Sequence, residues 1–174
     1  MENFVIFLVQ VTFSLIIWGL LARWFVMPRL ASLSLSTALI VLIVPHALRQ
    51  LGLNFLVTGV TNPALLPSSF TLQVAVGDVI ATVLALLAMV ALRSRWSFAL
   101  LLVWIFNIEG FLDLMNAYLQ GTGLVLGGNT DWLQGIGAAW YIPTIWVPLL
   151  IVSHILIFIL LLRKSPQNQP TNAK

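Results

Sequence analysis

Seven charged or hydrogen-bonding residues lie within the long apolar runs of this sequence, where side chains able to exchange protons or bind ions are costly to place. A charged group near the centre of a bilayer costs at least about 2.5 to 3.5 kcal/mol on insertion scales. Several such residues on different predicted helices therefore indicate a shared polar site. They are His46, Arg49, Asp78, Glu109, Asp113, Asn116 and His154.

Three of these residues share one face of a predicted helix. Glu109, Asp113 and Asn116 stand at i, i+4 and i+7 in "NIEGFLDLMN", a spacing that forms one stripe along an α-helix. Polar residues in register on a spanning helix must face protein or water. Asn107 points nearly the opposite way and is not assigned to the site.

Asp78 belongs to a helix with a ridge of small residues. Gly77, Ala81 and Ala85 recur at four-residue spacing beside it. Small residues at this spacing let neighbouring helices approach closely. We therefore predict that Asp78 faces the interior of the bundle.

The charges of the predicted site do not balance. Asp78, Glu109 and Asp113 oppose the single positive charge of Arg49, an excess of two negatives when both histidines are neutral. Protonated histidines, protonated carboxyl groups, or a bound cation or cationic ligand would relieve it. We predict that Arg49 pairs with Asp78 or Asp113, and that Glu109 holds a proton at neutral pH.

This combination of residues predicts a cavity that binds a small amphipathic or lipid-like molecule, with or without acid and base chemistry on it. Such chemistry needs two titratable groups held in different states. The predicted catalytic residues are Glu109, Asp113 and His46. The predicted ligand-binding residues are Arg49, Asp78, Asn116 and His154.

Three alternatives remain open at this stage: a proton- or cation-linked transporter or receptor, a haem- or pigment-binding membrane subunit, and a structural subunit with a helix-fastening polar network. Helical rise places His46 about 7 Å below the outer end of its helix and His154 about 15 to 24 Å below, which argues against one haem held by both. A single-histidine haem or pigment on either residue stays open. No resident cofactor or metal is predicted.

Composition fixes the class of protein. The 174 residues are 60% hydrophobic and 7% charged, with a mean hydropathy of +1.05 and no cysteine. These values are typical of a polytopic membrane protein. The basic residues stand singly or in pairs beside apolar runs, so no nucleic-acid partner is predicted. The predicted partners are membrane lipids, the small ligand, and further copies of the chain or another membrane protein.

The apolar runs predict an all-α integral membrane protein, a five-helix bundle with helices at about 3–23, 32–51, 71–92, 97–119 and 138–162. A polar tail follows at 165–174. Seven of the eight basic residues fall on one side of these helices. By the positive-inside rule the N-terminus is then outside and the C-terminus cytoplasmic, in a cytoplasmic (inner) or plasma membrane.

The two predicted outer loops, "GLNFLVTGVTNPALLPSS" and "QGTGLVLGGNTDWLQGIG", are long and partly apolar. They are compatible both with lids over the bundle and with slack linkers at the interface. Trp132, Trp140 and Tyr141 are predicted to form an aromatic belt at the outer boundary. Pro143 and Pro148 are predicted to bend the last helix.

Overall fold

The fold consists of helices that are connected by short turns and by two longer segments that cover one end of the bundle. A computed structural model describes residues 2–129 and 131–163 of the chain, and the predicted tail at 165–174 lies outside them. Five helices are long and apolar enough to cross a membrane, as predicted. They are α1 (Glu2–Ala31), α2 (Leu35–Leu56), α3 (Ser68–Arg93), α4 (Ala99–Leu126) and α6 (Gly137–Arg163), with a short α5 (Trp132–Gly135) before the last.

Several helices run further than the sequence predicted. The first continues beyond residue 23 to Ala31 through a π-helical turn, Ala22–Val26, that ends two residues before Pro28. A π-turn widens the helix locally and accommodates the proline, which lacks an N–H. Glycine-containing residues 120–126, predicted as loop, continue the helix that ends at Leu126.

Helix α2 changes its winding half-way. It is α-helical over Leu35–Ile43 and 3₁₀-helical over Val44–Leu56, with Pro45 at the start of the second part. Thirteen residues are long for this helix type, in which runs beyond three or four are uncommon. A 3₁₀-helix has three residues per turn, so every third side chain lies on the same face. The buried residues follow this period: His46, Arg49, Gly52 and Phe55.

The centre of the bundle is formed by α2, α3, α4 and α6, and α1 packs at the periphery against α6. Ala81 and Ala85 of α3 are fully buried, and Gly77 is buried beside them. Asp78 is only 7% exposed. The prediction that the small-residue ridge and Asp78 face the bundle is therefore confirmed.

Two segments fold back over one end of the bundle and pack on each other. We call residues 57–67 and 131–140 the cap. The Asn62 N–H donates to Gly135 O at 2.8 Å, and the Ala138 N–H donates to Val60 O at 2.9 Å. These backbone hydrogen bonds join the two segments, so they form a lid and are not slack linkers.

The aromatic-belt prediction is contradicted for one of its three residues, Trp132, and stays a prediction for Trp140 and Tyr141. Tyr141 is 68% exposed, which suits a belt residue, whereas Trp132 is 4% exposed. The Trp132 ring packs inside the protein against Phe7 and Phe70, with ring centroids 6.5 and 5.4 Å away. The belt prediction is wrong for Trp132 because the cap turns this indole inward.

The last helix is distorted at Pro143, as predicted, whereas Pro148 lies at the start of the regular α-helical stretch Val147–Arg163. Ile142–Trp146 forms a π-helical turn that contains Pro143. The carbonyl oxygen of Pro143 accepts a hydrogen bond from the Tyr118 hydroxyl at 2.6 Å. This bond ties α6 to α4 below the cap.

Candidate functional site

A fully buried arginine forms the centre of the candidate site. Arg49 is 1% exposed and projects from the 3₁₀ part of α2. Its Nε donates to Asp78 Oδ1 at 2.7 Å, its Nη2 to Asp113 Oδ2 at 2.5 Å, and its Nη1 to Gly110 O at 2.9 Å. The predicted pairing of Arg49 with an aspartate is confirmed, and it involves both candidates.

The guanidinium geometry explains why arginine suits this position. Its donors lie in one rigid plane and point in different directions, so a single side chain can serve acceptors on α3 and on α4. Removing one partner of a buried ion pair typically costs about 3–5 kcal/mol, because the other charge is left unpaired. Arg49 therefore fastens α2 to both neighbouring helices.

Two glycines make room for the two aspartates. A Cβ at Gly52 would overlap the Asp78 carboxylate, and a Cβ at Gly77 would overlap the Asp113 carboxylate. Each carboxylate thus lies against the bare backbone of a neighbouring helix. Any larger residue at these two positions would push a carboxylate away from Arg49.

A third glycine separates the arginine from a histidine. A Cβ added at Gly110 would lie 2.9 Å from Arg49 Nη1 and 2.9 Å from His154 Cε1. Such distances are shorter than van der Waals contact. Gly110 therefore allows α2 and α6 to approach α4 at the same level.

The two histidines meet below Arg49. His46 and His154 are fully buried, and their ring centroids are 4.1 Å apart. Phe106 packs against both rings, with centroids 5.1 and 5.4 Å away. The rings contact each other directly, so no porphyrin lies between them in this arrangement.

The prediction that these histidines lie at different depths is wrong. The second helix was expected to end near residue 51 with α-helical rise, but it extends to Leu56 and is 3₁₀-helical from Val44. Ten residues at about 2.0 Å per residue place His46 about 20 Å below that end. This depth falls within the range predicted for His154.

Asn107, which the sequence analysis left out of the site, positions His154. Asn107 Nδ2 donates to His154 O at 3.2 Å, and Asn107 Oδ1 lies 2.7 Å from His154 Nδ1. Because the amide oxygen can only accept, Nδ1 carries the proton and Nε2 a lone pair when the ring is neutral. The sequence offered one signal for this role, because Asn107 is a polar residue on the helix face opposite Glu109 and Asp113.

Above Arg49, a partly open cavity lies between the bundle and the cap. It measures about 620 Å³ with its open mouth included. Asp78 and Asp113 form its polar end, and their side chains are 10% and 18% exposed. The remaining wall is mostly apolar and includes six aromatic residues, Phe4, Phe7, Phe55, Phe70, Tyr118 and Trp132.

The structure separates the seven predicted residues into groups. Asp78 and Asp113 line the cavity, whereas Arg49 and the two histidines lie beneath it. Glu109 is half-buried, and its Oε2 is buried with no hydrogen-bond partner among the residues described. The half-buried Asn116 neither lines the cavity nor forms a side-chain hydrogen bond within the described ranges.

A family model matches most of the chain. The match covers residues 6–162, and the model is described as a domain of unknown function, DUF8737. The chain belongs to the DUF8737 family. No curated protein and no solved structure matches it.

In this DUF8737 member, the described residues contain no group of three or more His, Asp or Glu side chains placed to hold a metal ion. The charged groups that line the cavity are two carboxylates, which accept hydrogen bonds and attract cations. The histidines add a second buried polar layer that the cavity does not reach. A ligand in the cavity would contact carboxylates and aromatic rings.

Proposed function

We propose that this DUF8737 protein binds a small amphipathic or lipid-like molecule in the cavity between its bundle and its cap. The observation that carries the proposal is the division of the cavity into a mostly apolar wall and an end formed by Asp78 and Asp113. Ligand sites commonly have mostly apolar walls and a few polar groups that fix the orientation of the ligand. An amphipathic molecule matches both parts.

The proposal includes a direction in the membrane. Basic residues gather at the end of the bundle opposite the cap, so by the positive-inside rule that end is cytoplasmic. The N-terminus and the cap are then outside, and the cavity opens toward the outer half of the membrane. A cytoplasmic (inner) or plasma membrane suits this arrangement.

Acid and base chemistry on the ligand is a further part of the proposal. Asp113 is the predicted catalytic residue that lines the cavity, so it is the group that would exchange a proton with a bound molecule. His46 is sealed beneath Arg49, and Glu109 lies outside the cavity wall. Their effect on a ligand would pass through the Arg49 cluster.

A proton- or cation-linked transporter is the second candidate. It is favoured by the order of polar groups along the bundle, in which the histidine pair lies below Arg49 and the aspartates lie above it. The haem or pigment alternative receives less support, because neither His46 nor His154 lines the cavity.

Binding of three octyl compounds tests the proposal. Octylamine, octanol and octanoate share an apolar chain and differ in the head group. Native mass spectrometry of the full-length protein from nanodiscs should detect a saturable complex with at least one. Ala117→Phe should abolish it by filling the cavity, whereas Leu119→Phe, at a position that is 73% exposed, should not. Failure of every probe to bind, or equal binding to both variants, would reject the cavity as the site.

A further inference from the structure

The charges at the polar end of the cavity point to the head group of its ligand. We infer that the cavity selects cationic amphiphiles, in which an ammonium group lies at Asp78 and Asp113 and an apolar body lies between the aromatic rings. This inference rests on the proposed ligand-binding function and specifies its ligand class. Four observations support it: the excess of negative charge around Arg49, the exposure of both carboxylates to the cavity, the aromatic cavity wall, and an indole N–H without a hydrogen-bond partner.

The charge count at this end is uneven. Two carboxylates share one guanidinium, since Asp78 and Asp113 each bind a different nitrogen of Arg49. None of the described residues that line the cavity is basic. The guanidinium of Arg49 carries one positive charge, which balances one carboxylate. The other requires a proton or a cation, because an uncompensated charge is costly in a desolvated site.

The carboxylates are accessible to a ligand while Arg49 keeps its bonds. Arg49 uses Oδ1 of Asp78 and Oδ2 of Asp113. A carboxylate accepts hydrogen bonds on both oxygens, so each aspartate retains capacity for a second donor. Both side chains are partly exposed and line the cavity, whereas Arg49 is buried behind them. An ammonium group would thus meet the acidic side of the cluster first.

The cavity wall suits a cation with an apolar body. Ring faces carry partial negative charge and attract ammonium groups, and the same rings cover apolar surface. Phe7 lies at the centre of this wall, with edge-on contacts to Tyr118 and Trp132 at centroid distances of 6.4 and 6.5 Å. An anionic head group would instead face two carboxylates.

A buried donor in the wall supplies an independent indication of a ligand. Trp132 is 4% exposed, and its indole Nε1 is buried with no hydrogen-bond partner in the part of the chain that the structure describes. Buried polar groups are normally hydrogen-bonded. Because Trp132 lines the cavity, a rotation of its indole would bring this N–H to an oxygen acceptor on the body of the ligand. The inferred class is therefore an amine amphiphile carrying an ether, hydroxyl or carbonyl oxygen.

The head-group preference of the wild-type protein decides the inference. Octylamine should bind about tenfold more tightly than octanol, and octanoate more weakly than either, because only the ammonium compensates the second carboxylate. The inference would be overturned if the three probes bind equally well and Ala117→Phe abolishes the binding of all three. The proposed function would then remain intact. Binding of none would instead reject the proposed function.

Neutralising one carboxylate should remove the preference. Asp113→Asn leaves Arg49 with one charged partner, so octylamine and octanol should then bind alike, and retained octanol binding would show that the variant is folded. Asp78→Asn offers the same measurement from α3. Asp131→Asn is the matched control, since Asp131 is exposed on the cap outside the cavity and should leave the tenfold ratio unchanged. A ratio unaffected by Asp113→Asn and Asp78→Asn would contradict the assignment.

The indole donor has its own test. An ether analogue of octylamine, with one methylene replaced by oxygen near the middle of the chain, should gain about threefold in affinity over octylamine after correction for membrane partitioning. Trp132→Phe should abolish that gain and keep the preference for ammonium. An unchanged gain in Trp132→Phe would remove the acceptor from the inferred ligand class.

Discussion

His154 and Asn107 join α6 to α4 by two hydrogen bonds, one between their side chains at 2.7 Å and one from the amide to the His154 carbonyl at 3.2 Å. The pair fixes the orientation of an imidazole that is fully buried against His46. The polar core thus has two layers: a charged cluster around Arg49 and a histidine layer held by Asn107.

Asn107→Leu should destabilise the protein by about 1–3 kcal/mol, because it leaves the buried His154 Nδ1–H unpaired and removes the additional hydrogen bond to the His154 carbonyl. Unfolding in mixed detergent micelles measures the change. Asn116→Leu on the same helix is the control, since Asn116 is half-buried and forms no side-chain hydrogen bond within the described residues. Equal effects of the two substitutions would show that the Asn107 bonds contribute little.

Gly110→Ala should cost about 1–3 kcal/mol and weaken the Arg49 cluster, because its methyl group would meet Arg49 and His154 at 2.9 Å. Gly123→Ala in the same helix should be neutral or stabilising, since its Cβ would meet nothing within 4 Å. Thermal unfolding of the two variants in detergent provides the comparison. If the Gly110→Ala variant is as stable as wild type, α2 and α6 can move away from α4 at this level without loss of stability.

Arg49→Leu should destabilise the protein by about 3–5 kcal/mol, since it leaves two carboxylates without their partner. Adding Asp78→Asn and Asp113→Asn to this variant should restore a large part of the loss, because no charge then remains unpaired. Unfolding free energies of the single and triple variants test this. Additive losses in the triple variant would contradict the role of Arg49 as a charge partner.

Glu109 is predicted to hold a proton at neutral pH. Arg49 is already shared by two aspartates, and Glu109 Oε2 is buried without a hydrogen-bond partner in the described chain. Infrared spectroscopy should detect a protonated carboxyl C=O stretch that Glu109→Gln removes. The substitution should preserve folding, because glutamine replaces a neutral carboxyl group of similar size. It should abolish ligand binding or turnover, because glutamine cannot exchange a proton. An ionised Glu109, or full ligand binding by Glu109→Gln, would contradict the prediction.

The orientation in the membrane can be tested with single cysteines, because the sequence has none. Gln134→Cys on the cap and Ser94→Cys between α3 and α4 are both at exposed positions. In intact cells, a membrane-impermeant maleimide should label Gln134→Cys and leave Ser94→Cys unlabelled. The reverse pattern would place the cap and its cavity on the cytoplasmic side.

The sequence predicted those features that depend on local patterns. Five long apolar runs indicate five helices, and the spacing of Gly77, Ala81 and Ala85 identifies the buried face of α3. The pairing of Arg49 was also predictable, since a buried arginine requires a carboxylate at similar depth. These conclusions need only helical geometry and the cost of charge in an apolar medium.

Features that depend on distant contacts were missed. Asn107 and His154 are separated by 47 residues, and helical spacing alone does not bring them together. The inward turn of Trp132 follows from packing of the cap, which no short pattern encodes. The long 3₁₀ segment was missed because an α-helical period was applied throughout. The sequence nevertheless contains Pro45 and a three-residue spacing of the residues that the structure buries, His46, Arg49, Gly52 and Phe55.

The winding of α2 has a mechanical consequence for the site. Converting Val44–Leu56 from 3₁₀ to α-helix would turn each residue by about 20° less and shorten the segment by about 6 Å. Over the nine steps from His46 to Phe55 the difference amounts to about half a revolution. The histidine layer and the aromatic wall would then face opposite directions. The 3₁₀ winding of this segment therefore keeps the histidine layer and the aromatic wall on the same side of α2.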